Sequence, residues 1–175
     1  MKRIVAISLL VFVALASNQH AKAEPQENKS KFDVTILEPG RDNVVVEREM
    51  DVKGRARIPS GNHLWVLVHS IKGFEKVWWP QNEVEIDPQT GQWTTRVFLG
   101  LPRPRDTGYD FAIAAITVNE QEHLKLQQYR KDAIAKSDWQ PVKMPPTTAP
   151  PIYRKVKRDG NVVNGKAVRW SARKG

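Results

Sequence analysis

The chain has 175 residues, a formal net charge of +9 and no cysteine. The lack of cysteine excludes disulfides, a cysteine nucleophile and any metal site built on thiolates. A chain of this length can bury the core of one domain, so its stability has to come from packing.

The N-terminal segment predicts a signal peptide over residues 1–23. Two basic residues precede an apolar run, Ile4–Ala16, which has signal-peptide length and is too short to cross a bilayer comfortably. The tripeptide "AKA" at 21–23 fits a small-x-small cleavage site, and "ALA" at 14–16 is a rival. We expect cleavage after Ala23 and a periplasmic or secreted protein; an uncleaved N-terminal anchor is the alternative.

After a polar lead-in at 24–31, short alternating or apolar runs separated by turn signals continue to residue 158. This spacing is typical of an antiparallel β-sandwich. The run His63–His69 is apolar on both faces, which predicts a central strand that is covered on its second side, with a helix as the candidate cover. The predicted strands are 32–37, 44–48, 50–57, 63–69, 76–80, 83–86, 93–99, 109–118 and 152–158.

One helix is predicted at about 120–136, inserted between the last two strands of the sandwich. Its charged and amide residues are good helix formers. Leu124, Leu126, Tyr129 and Ile134 give it only a ragged apolar stripe. The proline-rich segment that follows is predicted to be extended, because its prolines forbid helix. Residues 159–175 are predicted to form a basic tail or a hairpin.

Four motifs of the chain resemble those of a group of bacterial extracytoplasmic β-sandwich domains, Ig-like or fibronectin-III-like, over Asp33 to Arg158. The resemblance implies an all-β, Ig-like antiparallel sandwich, here with one inserted α-helix. It implies no reaction, because the motifs are structural. The matching stretches are "HLWVLVH" (63–69), "WWPQ" (78–81), "GQW" with "VFLG" (91–100) and "YDFAIAAI" (109–116).

The tryptophans divide into predicted core and candidate binding residues. Trp65 and Trp93 are expected in the core. Trp78 and Trp79 are adjacent, so on a strand they point to opposite faces. We expect one to pack beside Trp65 and the other to face outward, with Pro80 ending the strand or marking an edge. The outward ring is either an aromatic platform for a sugar or peptide, or packed beneath the helix or the proline-rich segment.

The positive charge is concentrated at the C-terminal end. From Ile152 onward there are eight lysines and arginines and one acid, a net charge of +7, whereas residues 24–151 sum to about −1. The near-neutral charge of residues 24–151 argues against a nucleic-acid-binding surface in this part of the chain. The basic end is predicted to bind an anionic envelope component, or else to be a solvated strand with a disordered tail. The candidate binding residues are Trp78, Trp79, Arg154, Lys157, Arg158 and Arg169.

No spacing selects a catalytic, cofactor or metal site. The acids are scattered, and the chain has neither a Gly-x-Ser-x-Gly elbow nor a phosphate-binding glycine loop. His63 and His69 would lie about 20 Å apart on one strand face, too far to share an ion. We therefore expect an exported, non-catalytic module that binds a protein or an envelope component. The alternative is an envelope carbohydrate-binding or hydrolytic protein that uses Trp78, Trp79 and nearby acids.

Overall fold

A computed structural model describes residues 32–72, 76–101 and 106–158, together with the backbone of 162–163 and 166–167. The predictions for residues 1–31, and the candidate residue Arg169, lie outside the described residues. In chain order the elements are β1 (Asp33–Glu38), β2 (Val44–Val46), β3 (Glu49–Arg57), β4 (Asn62–Ser70), β5 (Val77–Val84), β6 (Gln92–Phe98), β7 (Asp110–Asn119), α1 (Glu120–Lys136), β8 (Val142–Lys143), β9 (Ile152–Arg158), β10 (Val162–Val163) and β11 (Lys166–Ala167).

The strands form two main sheets, which confirms the predicted all-β sandwich with one helix. One sheet has the order β1-β3-β6 and the other β2-β9-β7-β4-β5-β8. The expectation of a wholly antiparallel arrangement is wrong at one edge, because β2 runs parallel to β9, with Val44 opposite Val156. The chain leaves β1 and enters this edge alongside the last long strand. There the backbone N–H of Asn43 donates to the Lys155 carbonyl at 2.8 Å.

The core between the two sheets consists of the alternate, inward residues of the strands. Leu64, Val66 and Val68 of β4 pack there with Trp93 of β6, whose predicted burial is confirmed. Gly54 of β3 lies opposite Trp93 and leaves room for the indole. This inner core holds the two sheets together.

A second apolar layer lies between the six-stranded sheet and α1. Trp65 and Leu67 of β4 point into it and pack with Leu126 of the helix. The strand that is apolar on both faces is therefore central and covered on its second side, as predicted. No helix within the described residues is long and apolar enough to span a membrane.

β5 differs from the sequence expectation. Two runs, 76–80 and 83–86, were expected, but one strand continues through Pro80, which pairs with Leu67. The register shifts next to this pair, since Asn82 lies opposite Val66. On its outer side β5 pairs with β8 only at Val77 and Trp78. Proline is tolerated at such an edge, which is the second of the two roles predicted for it.

The predicted closing strand 152–158 is confirmed as β9. Its alternation is as expected: Tyr153, Lys155 and Lys157 are exposed, whereas Val156 and Arg158 are buried. Beyond it, the backbone of β10 and β11 forms a short antiparallel pair, as in the hairpin alternative for the C-terminal end.

Candidate functional site

The two adjacent tryptophans offer less surface than the sequence analysis expected. Trp78 is 9% exposed and packs in the same apolar layer as Trp65, as predicted for one of the pair. Trp79 is half-buried rather than solvent-facing, and its indole N–H donates to the carbonyl oxygen of Trp139 at 3.1 Å. Its alternative role, packing against the segment after the helix, fits this contact better than an open aromatic platform.

The predicted basic binding residues of β9 differ in how far they are exposed to solvent. Lys157 is exposed, as a binding residue requires. Arg154 is half-buried and donates to the carbonyl oxygens of Ile36 and Pro39, each at 3.2 Å. Arg158 is 1% exposed, so its assignment to an exposed binding surface is wrong. A buried guanidinium requires acceptors, and Arg158 finds them in the carbonyl oxygens of Leu99 and Leu101, which follow β6 of the other sheet.

The structure brings together four side chains that the sequence analysis did not connect: His63, Glu83, Glu120 and His123, here called the imidazole–carboxylate cluster. β4 contributes the first, β5 the second and the first turn of α1 the other two. The helix begins directly after β7, where the Asn119 side chain accepts from the backbone N–H of Glu122 at 3.0 Å. Because Asn119 pairs with Asn62 at the start of β4, this helix N-terminus lies over His63.

The two imidazole rings of the cluster are stacked, with centroids 3.6 Å apart and planes 8° from parallel. His63 directs Nε2 at Glu120 Oε2 (2.7 Å) and Nδ1 at Glu83 Oε1 (3.3 Å). Each ring nitrogen of His63 thus faces a carboxylate oxygen that can accept a hydrogen bond from it. His123 is different, because its Nδ1 accepts from the indole N–H of Trp65 at 3.2 Å. This contact requires the tautomer with the ring proton on Nε2, and the same Nδ1 lies 3.7 Å from Glu83 Oε1.

A cleft of about 360 Å³ adjoins the cluster between α1 and β5. Glu83 belongs to both, since its Oε2 also accepts from the Gln127 side chain at 3.3 Å. Ile134 is 55% exposed in this cleft, although it is apolar. The cleft is lined by Trp65, Glu83, Gln127, Arg130, Lys131 and Ile134, and is here called the α1–β5 cleft.

Among the described residues, one group could hold a metal ion: His63, Glu120 and His123, whose ligand atoms lie within 4.8 Å of one another. His69, on the same strand as His63, is not part of this group. The relevant partner is on α1, and its position depends on how the helix docks. The one available signal was that both histidines occupy the start of an element.

Comparison with known proteins adds no assignment. No protein-family model matches the chain, and a search of curated proteins finds no significant match.

Proposed function

We propose that this chain is an exported, non-catalytic interaction module that binds a protein partner through the α1–β5 cleft. The observation that carries the proposal is Ile134, an apolar side chain left 55% exposed in a concave surface. Exposed apolar residues that line a cleft are typical of binding sites.

The charges of the cleft favour one kind of partner. Arg130 and Lys131 line it, and neither forms an ion pair with another described residue. The one acid, Glu83, is already hydrogen-bonded by His63 and Gln127. A partner segment that presents an apolar side chain beside an acidic group therefore complements this surface.

The carbohydrate-binding or hydrolytic alternative has less support. An aromatic platform needs an open ring face, but Trp78 is almost fully buried and Trp79 is half-buried. A glycan ligand remains an outcome that the binding experiment can reveal.

The helix offers a matched pair of substitutions for the test. Ile134 and Leu124 are 55% and 54% exposed, but only Ile134 lines the cleft. The purified protein, Ile134→Asp and Leu124→Asp are each used to capture partners from an envelope extract. We expect one protein to be retained by the wild type and Leu124→Asp and lost by Ile134→Asp. Arg130→Glu should weaken the same capture, and wild-type binding should fall with salt.

Equal capture by both aspartate variants would place the binding surface elsewhere. A captured glycan that competes with the protein would favour the alternative function. Export is tested separately by mass spectrometry of the mature protein. A start at Glu24 supports it, whereas a start at Ser17 or an intact Met1 contradicts the predicted cleavage.

A further inference from the structure

We propose that His63, Glu120 and His123 bind a divalent transition-metal ion, with Zn²⁺ as the reference ion. Two imidazoles and a carboxylate are a donor set that zinc and its neighbours accept, and a water molecule would complete four-coordination. Mg²⁺ and Ca²⁺ prefer oxygen ligands, so this set discriminates against them. The inference is independent of the function proposed for the cleft.

The surroundings of His63 match those of a metal-bound imidazole. When Nε2 binds the ion beside Glu120, Nδ1 carries the remaining proton and faces Glu83 Oε1 at 3.3 Å. A carboxylate that accepts from the second ring nitrogen fixes the tautomer of a metal ligand and raises its basicity. Glu83 is itself fixed by Gln127, so the supporting hydrogen bonds are already in place.

The two exposed ligands can adjust to the ion. The side chains of His63 and Glu120 are 25% and 62% exposed, and their facing atoms are 2.7 Å apart. Ligand atoms around a tetrahedral zinc ion lie roughly 3.4 Å apart, so this pair has to open slightly while His123 approaches. The lone pair of an imidazole lies in its ring plane, so the stacked rings must also tilt away from parallel.

Binding requires His123 to give up its hydrogen bond with Trp65. His123 Nδ1 accepts from the indole at 3.2 Å. If Nδ1 binds the ion, the indole loses its acceptor. If Nε2 binds the ion, the ring proton moves to Nδ1, and two N–H donors then face each other without an acceptor. The loss of one hydrogen bond lowers the affinity for the ion about tenfold, so we expect a micromolar dissociation constant rather than a smaller one. The indole N–H of Trp65 is consequently a reporter for the ion.

The experiment titrates the chelator-treated protein with ZnCl₂ and, separately, MgCl₂ by calorimetry. We expect one zinc ion per chain and no magnesium binding. His63→Gln and Glu120→Gln should each weaken zinc binding at least tenfold. The matched controls, His69→Gln on the same strand and Glu122→Gln in the same helical turn, should leave it within about twofold. Glu122 is a fair control because its carboxylate pairs with Lys125 at 2.6 Å.

NMR on the same samples decides the third ligand. Zinc should shift the imidazole signals of His63 and His123 and the indole N–H of Trp65, and leave the His69 imidazole unchanged. Absence of heat and of these shifts up to about 1 mM zinc overturns the site. Retained binding in either ligand variant, or binding without a change at His123 and Trp65, overturns the assigned ligand set.

Discussion

The side chain of Arg158 on β9 donates from Nη1 to the carbonyl oxygen of Leu99, which follows β6 in the opposite sheet, at 2.9 Å. The same nitrogen also donates to the carbonyl of Leu101. Four residues earlier on the same strand, Arg154 donates to the carbonyl of Ile36 on β1. The inward arginines of β9 thus connect the two sheets through main-chain acceptors, and the buried charge of Arg158 is part of the sandwich.

Replacing Arg158 with methionine should lower the free energy of unfolding by about 3 kcal/mol. The substitution retains an unbranched apolar stem but leaves two carbonyl oxygens without this donor. Urea unfolding of the variant measures the loss. Lys157→Ala, on the exposed face of the same strand, is the control and should change stability by about 0.5 kcal/mol or less. A loss below about 1 kcal/mol for Arg158→Met would show that other donors replace the guanidinium.

Trp65→Ala should cost about 3–5 kcal/mol, the range for a large buried aromatic residue. Trp65 is 1% exposed beneath α1. Trp139→Ala provides the contrast, because this indole is 43% exposed and should cost less than about 1 kcal/mol. Denaturant unfolding of both variants makes the comparison. Similar losses for the two would contradict the difference in packing that their burial implies.

The sandwich could be predicted because successive side chains of a strand point to opposite faces, so the alternation of apolar and polar residues shows which faces are buried. β4 is apolar on both faces and is central and covered, and β9 alternates between inward and exposed residues. This alternation does not show which strands pair with each other. The parallel pairing of β2 with β9 depends on the path of the chain after β1, which no local pattern encodes.

The candidate site could not be predicted because the composition of α1 does not show which face docks. Leu124 and Ile134 are exposed, whereas His123 and Ala133 are buried with Leu126. If the docked face is chosen from the apolar residues of the helix alone, the choice includes the exposed Leu124 and Ile134 and omits the buried His123. The imidazole–carboxylate cluster exists only once the helix rotation, the β5 register and the cap at Asn119 are all fixed.

Gly54→Ala should destabilise the protein by about 3 kcal/mol. A Cβ built at this position in β3 would overlap the Thr35 carbonyl oxygen and the Trp93 indole. Both neighbours belong to flanking strands, so relief requires the sheet itself to shift, an overpacking cost. Gly40→Ala is the control, because its nearest atom is 3.4 Å away. Thermal unfolding compares the two, and an equal effect of both would contradict the close approach at Gly54.

Asp87 should make the turn before β6 sensitive to acid. Backbone N–H groups of Thr90 and Gln89 donate to its carboxylate, both at 2.8 Å, and they lower its pKa below the usual 3.8. The lowered pKa in the folded state means that its stabilising effect is present above the usual value and is lost as pH falls through the folded value. NMR titration should place the midpoint below 3.8. The stability difference between wild type and Asp87→Asn should shrink between pH 7 and about pH 2; a constant difference would contradict this.

At the basic end of the chain, Arg158 sets the boundary for a truncation that leaves the fold intact. A chain that stops before Arg158 loses the bonds that connect the sheets, so the shortened form should end at Gly160, which removes Lys166, Arg169, Arg173 and Lys174. We expect this form to melt like the full chain but to bind anionic vesicles more weakly. The difference in vesicle binding between the full chain and the shortened form should vanish with added salt, because exposed charges are screened within about 10 Å at 0.1 M. Neutral vesicles are the control for both forms. A much lower melting temperature would make the removed segment structural, and equal binding at low salt would make it irrelevant to anionic partners.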